Sequence, residues 1–168
     1  MCNTKIDFHM NFRQIFSVLA LVSGSFQLSA QTAADYYALG KTLHSQGRLL
    51  EAIAFYEESL NLEPNSSNTL FNRGAAYFTE GQYENAAKDF QKVVELSRHD
   101  AEAYERLGNC FYMQKLYNQA IENYEKSLNI DNSTRVRVSC SIARKESGDF
   151  DGAISDVEKA IELDPENP

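Results

Sequence analysis

The sequence predicts an all-α protein built from repeated pairs of antiparallel helices. One ten-residue pattern occurs four times, as GRLLEAIAFY (47–56), GQYENAAKDF (81–90), KLYNQAIENY (115–124) and GDFDGAISDV (148–157), with starts 34, 34 and 33 residues apart. Small residues and large apolar residues recur at fixed places within this period. A period of about 20–50 residues is typical of arrays whose small units bury their apolar faces only against one another.

The repeated positions have a physical logic when each unit is counted from Ala33, Ser67, Ala101 and Thr134. Small residues at positions 8 and 20 let two helices approach closely, and glycine at position 15 ends the first helix because it tolerates positive φ. Position 8 is Gly40, Gly74, Gly108 and Ser141; position 15 is Gly47, Gly81, Lys115 and Gly148; position 20 is Ala52, Ala86, Ala120 and Ala153.

Other positions fill and delimit the predicted pairs. Large side chains at positions 4, 11 and 24 occupy the space that remains between the helices, and we expect this of Tyr36, Tyr77, Phe111 and Phe90. Proline at position 32, as in Pro64 and Pro165, ends the second helix. Asp100 and Asp149 precede helical stretches and are expected to be N-caps.

This pattern resembles the tetratricopeptide repeat (TPR) over residues 33–166. The resemblance implies a right-handed α-solenoid of about eight helices, in a domain of residues 31–168 with repeats at 33–66, 67–100, 101–133 and 134–167. Lys115 replaces the usual turn glycine of the third unit, and Arg73 replaces a usual leucine. In the fourth unit Arg137, Cys140 and Arg144 stand at usually apolar or aromatic positions, which leaves the register of its first helix open by about a residue.

A different kind of segment precedes the repeats. Lys5 and Arg13 come before the apolar run IFSVLALV (15–22), and small residues follow up to Ala30. This order predicts a secretory signal peptide over residues 1–30, with Met10 as an alternative start. The alternative is a membrane anchor, but the apolar run is well short of the ~20 residues that a spanning helix needs. The prediction places the mature chain in a periplasm or outside the cell.

The sequence offers no enzymatic constellation. His44 and His99 are isolated, and metalloprotease, nucleophile-elbow and phosphate-loop motifs are missing. We therefore predict no catalytic site, no metal and no cofactor. A net charge of −8 argues against nucleic-acid binding, which needs clustered cations. Cys110 and Cys140 either pair in an oxidising compartment or lie buried as small residues on neighbouring helices.

The TPR resemblance implies that positions 2, 5, 9 and 12 of the first helices line a concave, peptide-binding groove. Here that face is rich in aromatic residues, which predicts a non-catalytic scaffold that binds a protein or peptide segment. Flanking cations, including Arg135 and Lys145, suit an acidic-hydrophobic segment or a chain terminus. The alternative is that the curvature of the array buries part of this face. The predicted groove residues are Tyr37, Lys41, Phe71, Asn72, Phe78, Arg106, Asn109 and Tyr112.

The last predicted helix raises a separate question. Ala153, Val157, Ala160 and Ile161 have little to pack on beyond their own helix pair. Either this helix is partly exposed and self-associates, or the sequence belongs to a longer array. The alternative function is therefore a structural or oligomerisation component of a larger envelope assembly, joined through the uncapped last repeat.

Overall fold

The computed structural model describes residues 32–165, and this part of the chain contains eight α-helices and no strand. The all-α prediction is therefore confirmed for these residues. The predicted signal peptide, residues 1–30, lies outside the described residues and stays a prediction. The helices are α1 Ala33–Ser45, α2 Leu49–Leu62, α3 Ser67–Thr79, α4 Tyr83–Leu96, α5 Ala101–Met113, α6 Tyr117–Ile130, α7 Thr134–Ser147 and α8 Phe150–Leu163.

The helices form a linear array in which each packs against the one before it and the one after it. The pairs α1/α2, α3/α4, α5/α6 and α7/α8 make the most extensive contacts, and α2/α3, α4/α5 and α6/α7 join consecutive pairs. Stability in such an array is the sum of contacts within pairs and contacts between neighbouring pairs. The described helices are 13 or 14 residues long, and none has the length and apolar character needed to cross a membrane.

Within a pair, the side chain at position 24 of the second helix packs on the small residue at position 8 of the first. A Cβ atom built on Gly40 would lie 2.6 Å from Cε1 of Tyr56, and one built on Gly74 would lie 3.1 Å from Cζ of Phe90. Glycine is therefore the residue that leaves room for the ring. The pairs at these two positions are Gly40–Tyr56, Gly74–Phe90, Gly108–Tyr124 and Ser141–Val157, so the unit with the larger residue at position 8 has the smaller one at position 24.

The turn inside each pair is left-handed at position 15. Gly47, Gly81 and Gly148 have φ of +75°, +76° and +90°. Lys115 takes the same conformation with φ of +62°, and among the described residues it is the one non-glycine residue with positive φ. The departure noted in the sequence therefore leaves the turn intact, but a side chain with a Cβ atom occupies a strained region of backbone conformation.

Three of the described helices, α1, α5 and α8, begin with a side chain that caps them. Thr32 and Asp35 form a reciprocal capping box at the start of α1. Asp100 accepts a hydrogen bond from the backbone N–H three residues later at 2.9 Å, and Asp149 does the same at 3.0 Å. These bonds satisfy backbone donors that the first turn of a helix leaves free. The two aspartate caps that the sequence predicts are present.

Arginine replaces the usual leucine of the second unit by pairing with a buried carboxylate. Arg73 Nε and Nη2 donate to Asp89 Oδ2 and Oδ1 at 2.8 and 2.7 Å. Asp89 is only 5% exposed, and burial raises the pKa of its carboxyl more than the hydrogen bonds from Arg73 lower it. The pair lets two polar residues occupy positions between α3 and α4 that are apolar in the first unit.

In the fourth unit, one arginine pairs with three carboxylates. Its first helix begins at Thr134, so the unit keeps the register from which it was counted. Arg144 Nε donates to Asp156 Oδ2 at 2.9 Å, Arg144 Nη1 donates to Asp149 Oδ2 at 2.7 Å, and Arg144 Nη2 donates to Glu125. This guanidinium therefore links α6, the α7–α8 turn and α8. It stands at position 11, where the second and third units have the aromatic residues Tyr77 and Phe111.

Candidate functional site

Positions 2, 5, 9 and 12 lie on one side of each first helix, because helical periodicity brings residues three or four apart together. We call this set, with Asn72 and Arg106 beside it, the first-helix face. Two side-chain hydrogen bonds join consecutive first helices along it. Asn72 Nδ2 of α3 donates to Tyr37 Oη of α1 at 3.2 Å, and Arg135 Nη2 of α7 donates to Glu105 Oε2 of α5 at 2.7 Å. These bonds fix neighbouring units relative to each other on this side.

The aromatic residues near the start of this face are half-buried. Phe71 packs edge-on against Phe90, with ring centroids 5.3 Å apart and an interplanar angle of 74°. The ring centroids of Tyr37 and Tyr56 are 6.1 Å apart. Each ring therefore contacts its own second helix and stays partly exposed. Such packing restricts the rings without removing them from the surface.

The aromatic residues at position 12 lie beside aromatic residues at position 17, across the turn of each pair. Phe78 and Tyr83 have ring centroids 5.3 Å apart, and Tyr112 and Tyr117 have centroids 5.7 Å apart. All four side chains are half-buried. The second and third units therefore each present a pair of rings at the turn end of the face.

The predicted cationic residues differ in how free they are. Lys41 is exposed, and its Nζ lies 5.6 Å from the centroid of the Tyr37 ring, within the range of a cation–π contact. Arg106 Nη2 donates to Glu102 Oε1 at 3.0 Å, while its Nε is buried without a hydrogen-bond partner. Lys41 is thus available to an incoming anion, whereas Arg106 already faces a carboxylate.

The two predicted asparagines are engaged within the protein. Asn72 Nδ2 donates both to Tyr37 and to the backbone carbonyl of Asn68, the latter at 2.8 Å. Asn109 Oδ1 accepts a hydrogen bond of 2.7 Å from Tyr124 Oη. An amide has two donors and an acceptor with two lone pairs, so each side chain keeps capacity for a ligand. Asn72 can still accept through Oδ1, and Asn109 can still donate through Nδ2.

Comparison with known protein families decides what kind of array this is. Models described as "Tetratricopeptide repeat" match residues 65–133 and 141–167, and one described as "TPR repeat" matches residues 40–81. Together they extend through all four helix pairs and well over half of the chain.

The chain belongs to the tetratricopeptide repeat (TPR) family.

Two curated proteins resemble this TPR chain. The "BBSome complex member BBS4" of Xenopus tropicalis is 24% identical over 167 residues, which are 98% of this chain and 32% of that protein. The "Photosystem I assembly protein Ycf3" of a Synechococcus strain is 38% identical over 63 residues, which are 36% of each protein. The chain thus spans about a third of the length of the curated relatives that it matches.

Solved structures agree with the TPR fold. A crystal structure of MamA is 25% identical, covers 91% of this chain and 86% of its own, and superposes with a TM-score of 0.79. MamA from Desulfovibrio magneticus RS-1 is 22% identical, covers 82% of this chain and 78% of its own, and gives a TM-score of 0.78. The predicted right-handed α-solenoid of antiparallel helix pairs is confirmed.

Three residues on or beside the first-helix face were not among the predicted contact residues. Tyr83 and Tyr117 lie beside Phe78 and Tyr112, although they belong to second helices. Glu105 is 4% exposed and is held by Arg135 rather than facing solvent. An aromatic residue recurs at position 17 of three consecutive units, as Tyr83, Tyr117 and Phe150, and this is the signal in the sequence that points to the two tyrosines.

Two shallow pockets of this TPR array are lined mainly by residues of the turns and of the second helices. One shallow pocket of about 330 Å³ is formed by turn residues of the second and third units, among them Tyr83, Met113 and Leu116. Another of about 250 Å³ lies between second helices and includes Arg98, Tyr104 and Lys126. Neither pocket includes a predicted contact residue, although Tyr83 of the first pocket lies beside Phe78.

The cysteines and a histidine of the TPR domain are buried or packed. Cys110 and Cys140 are free thiols, both fully buried, and burial raises the pKa of each to about 12. His44 Nδ1 lies 3.4 Å from Tyr56 Oη. Within residues 32–165 no three His, Cys, Asp or Glu side chains are grouped closely enough to hold a metal ion.

Proposed function

We propose that this TPR protein is a non-catalytic scaffold that binds a protein or peptide segment along its first-helix face. One observation carries the proposal: Tyr37, Phe71, Phe78 and Tyr112 are each fixed by a neighbouring ring yet half-exposed. Rings held in place lose little conformational freedom on binding, so they are efficient apolar anchors.

The charges of the face define the segment that suits it. Lys41 and Lys145 are exposed at its two ends, whereas Arg106 and Arg135 are already paired with Glu102 and Glu105. An incoming carboxylate therefore gains most near the first and fourth units and would have to displace a carboxylate near the third. We propose an apolar segment that carries acidic residues toward its ends.

The buried thiols support the absence of catalysis. With pKa values raised to about 12, Cys110 and Cys140 are protonated at neutral pH, and a protonated thiol is a poor nucleophile. The proposal would be contradicted by a turnover activity that Cys140→Ala or His44→Ala removes.

We also propose that the protein acts outside the cytoplasm, because residues 1–30 have the order of a signal peptide. Mass spectrometry of the protein from its native cells tests this proposal. A mature chain that begins at Gln31 in an envelope or medium fraction is the expected result. An intact N-terminus in the cytoplasmic fraction would contradict it.

Photo-crosslinking at the face tests the binding proposal. Replacing Tyr37 or Tyr112 by benzoylphenylalanine keeps an aromatic ring at the site, and Tyr36 provides a matched control because its ring lies toward Phe55 of α2. We expect the same partner to be captured in cells from positions 37 and 112 but not from 36, and Lys41→Glu to reduce that capture. Equal capture from position 36 would contradict the face as the binding site.

A second candidate function is assembly through the last helix, favoured by the exposed apolar side chains Ile154 and Ile161 of α8, 58% and 55% exposed. The two curated relatives are named as a complex member and as an assembly protein, which also favours this candidate. Light scattering of the chain over a range of concentrations tests self-association. A mass that stays monomeric, with no partner bound at α8, would exclude this candidate.

A further inference from the structure

The outer side of α8 carries a row of exposed apolar side chains. Phe150, Ile154, Val157 and Ile161 are 64%, 58%, 43% and 55% exposed. Their spacing of four, three and four residues places them on one side of the helix. Exposed apolar residues that are contiguous, rather than scattered singly, mark a contact surface.

In the other units, the next first helix packs on the corresponding side of the second helix. The residues at positions 21, 24 and 28 are nearly inaccessible in the first two units, because the next first helix covers them. Their exposures are 7%, 0% and 8% for Ile53, Tyr56 and Leu60, and 8%, 0% and 4% for Ala87, Phe90 and Val94. The same positions in α8 are Ile154, Val157 and Ile161. Within residues 32–165, the row is therefore a stacking surface of the same kind on which no further helix packs.

The covering helices have a common chemistry. On α6, the residues at positions 21, 24 and 28 pack against Val136, Cys140 and Ala143 of α7. In the first unit, Ile53 and Tyr56 pack with Ala76 of α3. The side chains that α7 presents are therefore short and apolar and stand at helical spacing, which allows close approach to the larger side chains below. On α5 the larger Leu107 stands between Ala103 and Cys110 in the same arrangement.

A polar contact accompanies the apolar one. At two of the three described junctions between units, a glutamate at position 25 of a second helix accepts a hydrogen bond from position 11 of the next first helix. Gln91 and Phe111 occupy these positions at the other junction, where the bond is missing. Tyr77 Oη donates to Glu57 Oε1 at 3.0 Å, and Arg144 Nη2 donates to Glu125 Oε1. In α8 the residue at position 25 is Glu158, which is exposed.

A second carboxylate adds to this acidic edge. Glu162 occupies position 29 of α8, and its counterpart Glu95 lies on the side of α4 that faces Tyr104 of the following unit. The edge of the apolar row on α8 is therefore anionic, and a complementary helix would be cationic there.

We propose that the outer face of α8 binds an amphipathic helix of a partner protein. The partner helix packs small apolar residues on Ile154, Val157 and Ile161, and one of its arginines or lysines pairs with Glu158. This inference rests on the second candidate function and is independent of the first-helix face. It supplies the chemistry of the partner, which that candidate leaves open.

A second copy of this chain fits the surface less well. Its own first helix, α1, has Leu43 at position 11, which cannot donate to Glu158. It also has Asp35 at position 3, where Ala103 and Val136 are buried in later units. A second α8 face would bring its own Glu158 and Glu162 rather than a cation that pairs with Glu158.

A peptide with the sequence of α7 provides a defined probe, since α7 is the covering helix of the neighbouring unit. Residues 131–149, labelled with a fluorophore and stapled through positions 138 and 142, keep the contact side free because Val138 and Ile142 are 42% and 43% exposed. The staple is needed because isolated helices of this length are marginal in water. Fluorescence anisotropy with the full chain then measures binding.

We expect saturable binding that Ile154→Asp plus Ile161→Asp weakens by at least about tenfold. Leu50→Asp is the matched control, since Leu50 is an equally exposed apolar residue of α2, 64% exposed, and it should leave binding unchanged. Glu158→Arg should weaken binding of the peptide. A peptide that carries Arg144→Glu should bind this variant with restored affinity, because the charge pair is reversed. Far-UV circular dichroism checks that each variant keeps its helices.

Three results would overturn the inference. They are equal loss in Leu50→Asp, failure of the charge swap to restore binding, and no saturable binding of the peptide. Self-association that Ile154→Asp abolishes, without peptide binding, would identify a second copy as the occupant and leave the second candidate function standing. A monomeric chain that does not bind the peptide would overturn both.

Discussion

The ring of Tyr124 lies against the α-carbon of Gly108, so that a Cβ atom built on the glycine would come within 2.6 Å of Cε1 of the ring. The ring cannot easily move, because Tyr124 is 2% exposed and its Oη donates to Asn109 Oδ1 at 2.7 Å. This contact sets how closely α5 and α6 approach. The same geometry holds for the first unit, and a slightly looser one holds for the second.

Gly108→Ala should therefore destabilise the array, although alanine is the better helix former. A methyl group forced into the packed contact shifts the ring or the helix, and overpacking of this kind costs about 1–3 kcal/mol. Urea denaturation followed by circular dichroism gives the free energy of unfolding. An unchanged or higher value would show that the two helices can separate without cost.

Ser141→Ala is the control at the same position of the fourth unit. Ser141 faces the smaller Val157, and its hydroxyl donates within its own helix to the carbonyl of Val138 at 2.8 Å. Its removal should change the free energy of unfolding much less than Gly108→Ala does.

Lys115→Gly should stabilise the protein. Lys115 holds φ of +62° at a turn where the other units have glycine. Glycine adopts this conformation without strain, so the free energy of unfolding should rise by about 0.5–1 kcal/mol after the extra chain entropy of glycine is subtracted. Thermal denaturation measures the change. Lys115→Ala removes the charge but keeps Cβ, so it should give no gain; equal stabilisation by both variants would assign the effect to charge instead.

Removing one member of the Arg73–Asp89 pair should lower the free energy of unfolding strongly, whereas replacing both members should lower it little. Arg73→Leu alone leaves the buried carboxylate of Asp89 unpaired, and losing one partner of such a pair costs about 3–5 kcal/mol. The double variant Arg73→Leu, Asp89→Asn copies the residues Leu107 and Asn123 of the third unit. It should recover most of the loss in chemical denaturation.

The third unit explains why asparagine suits this position. Asn123 is buried and donates to the backbone carbonyl of Gln119 in its own helix at 2.8 Å, so an asparagine at position 89 has the corresponding carbonyl of Asn85 available. If the double variant were as unstable as Arg73→Leu, the ion pair itself would be the source of stability rather than the avoidance of an unpaired charge.

Asp149 should make the fourth unit sensitive to acid. Hydrogen bonds from Arg144 and from the backbone of Gly152 lower the pKa of Asp149 from its ordinary value of 3.8. Because its pKa is lower in the folded state, the carboxylate stabilises the fold above about pH 3.8, and this contribution is lost as pH falls through the folded-state pKa. Asp149→Asn should thus be less stable than the parent at neutral pH, and the two melting temperatures should converge below pH 3.8. A gap that persists to pH 2, below the whole titration of the carboxyl, would contradict this account.

Much of the fold follows from the sequence, because the features that build it are local and repeated. Glycine at position 15 predicts the left-handed turn, and small residues at positions 8 and 20 predict where helices meet. Lys115 shows the limit of such rules: the turn persists there because contacts of the flanking helices outweigh the strain of one residue.

The candidate site was less predictable. Helical periodicity identifies Phe71 and Tyr112 as members of one face, but it does not reveal that Phe71 packs edge-on against Phe90 or that Tyr117 lies beside Tyr112. Those contacts join different helices, so no single-helix pattern contains them. The same holds for Glu105, which periodicity places on the face and which Arg135 of the next unit holds.

The sequence by itself determined the number of helices in the array, their pairing and the places of the turns, since each depends on residues within one period. The tertiary structure alone decided which charged residues are paired inside the array. The sequence predicted that α8 is partly exposed, but only the structure showed that Val157 and Ile161 are exposed while Ala160 is buried. Burial depends on what the neighbouring unit contributes, and a residue such as Asp89 or Ile161 acquires its environment only when the units are stacked.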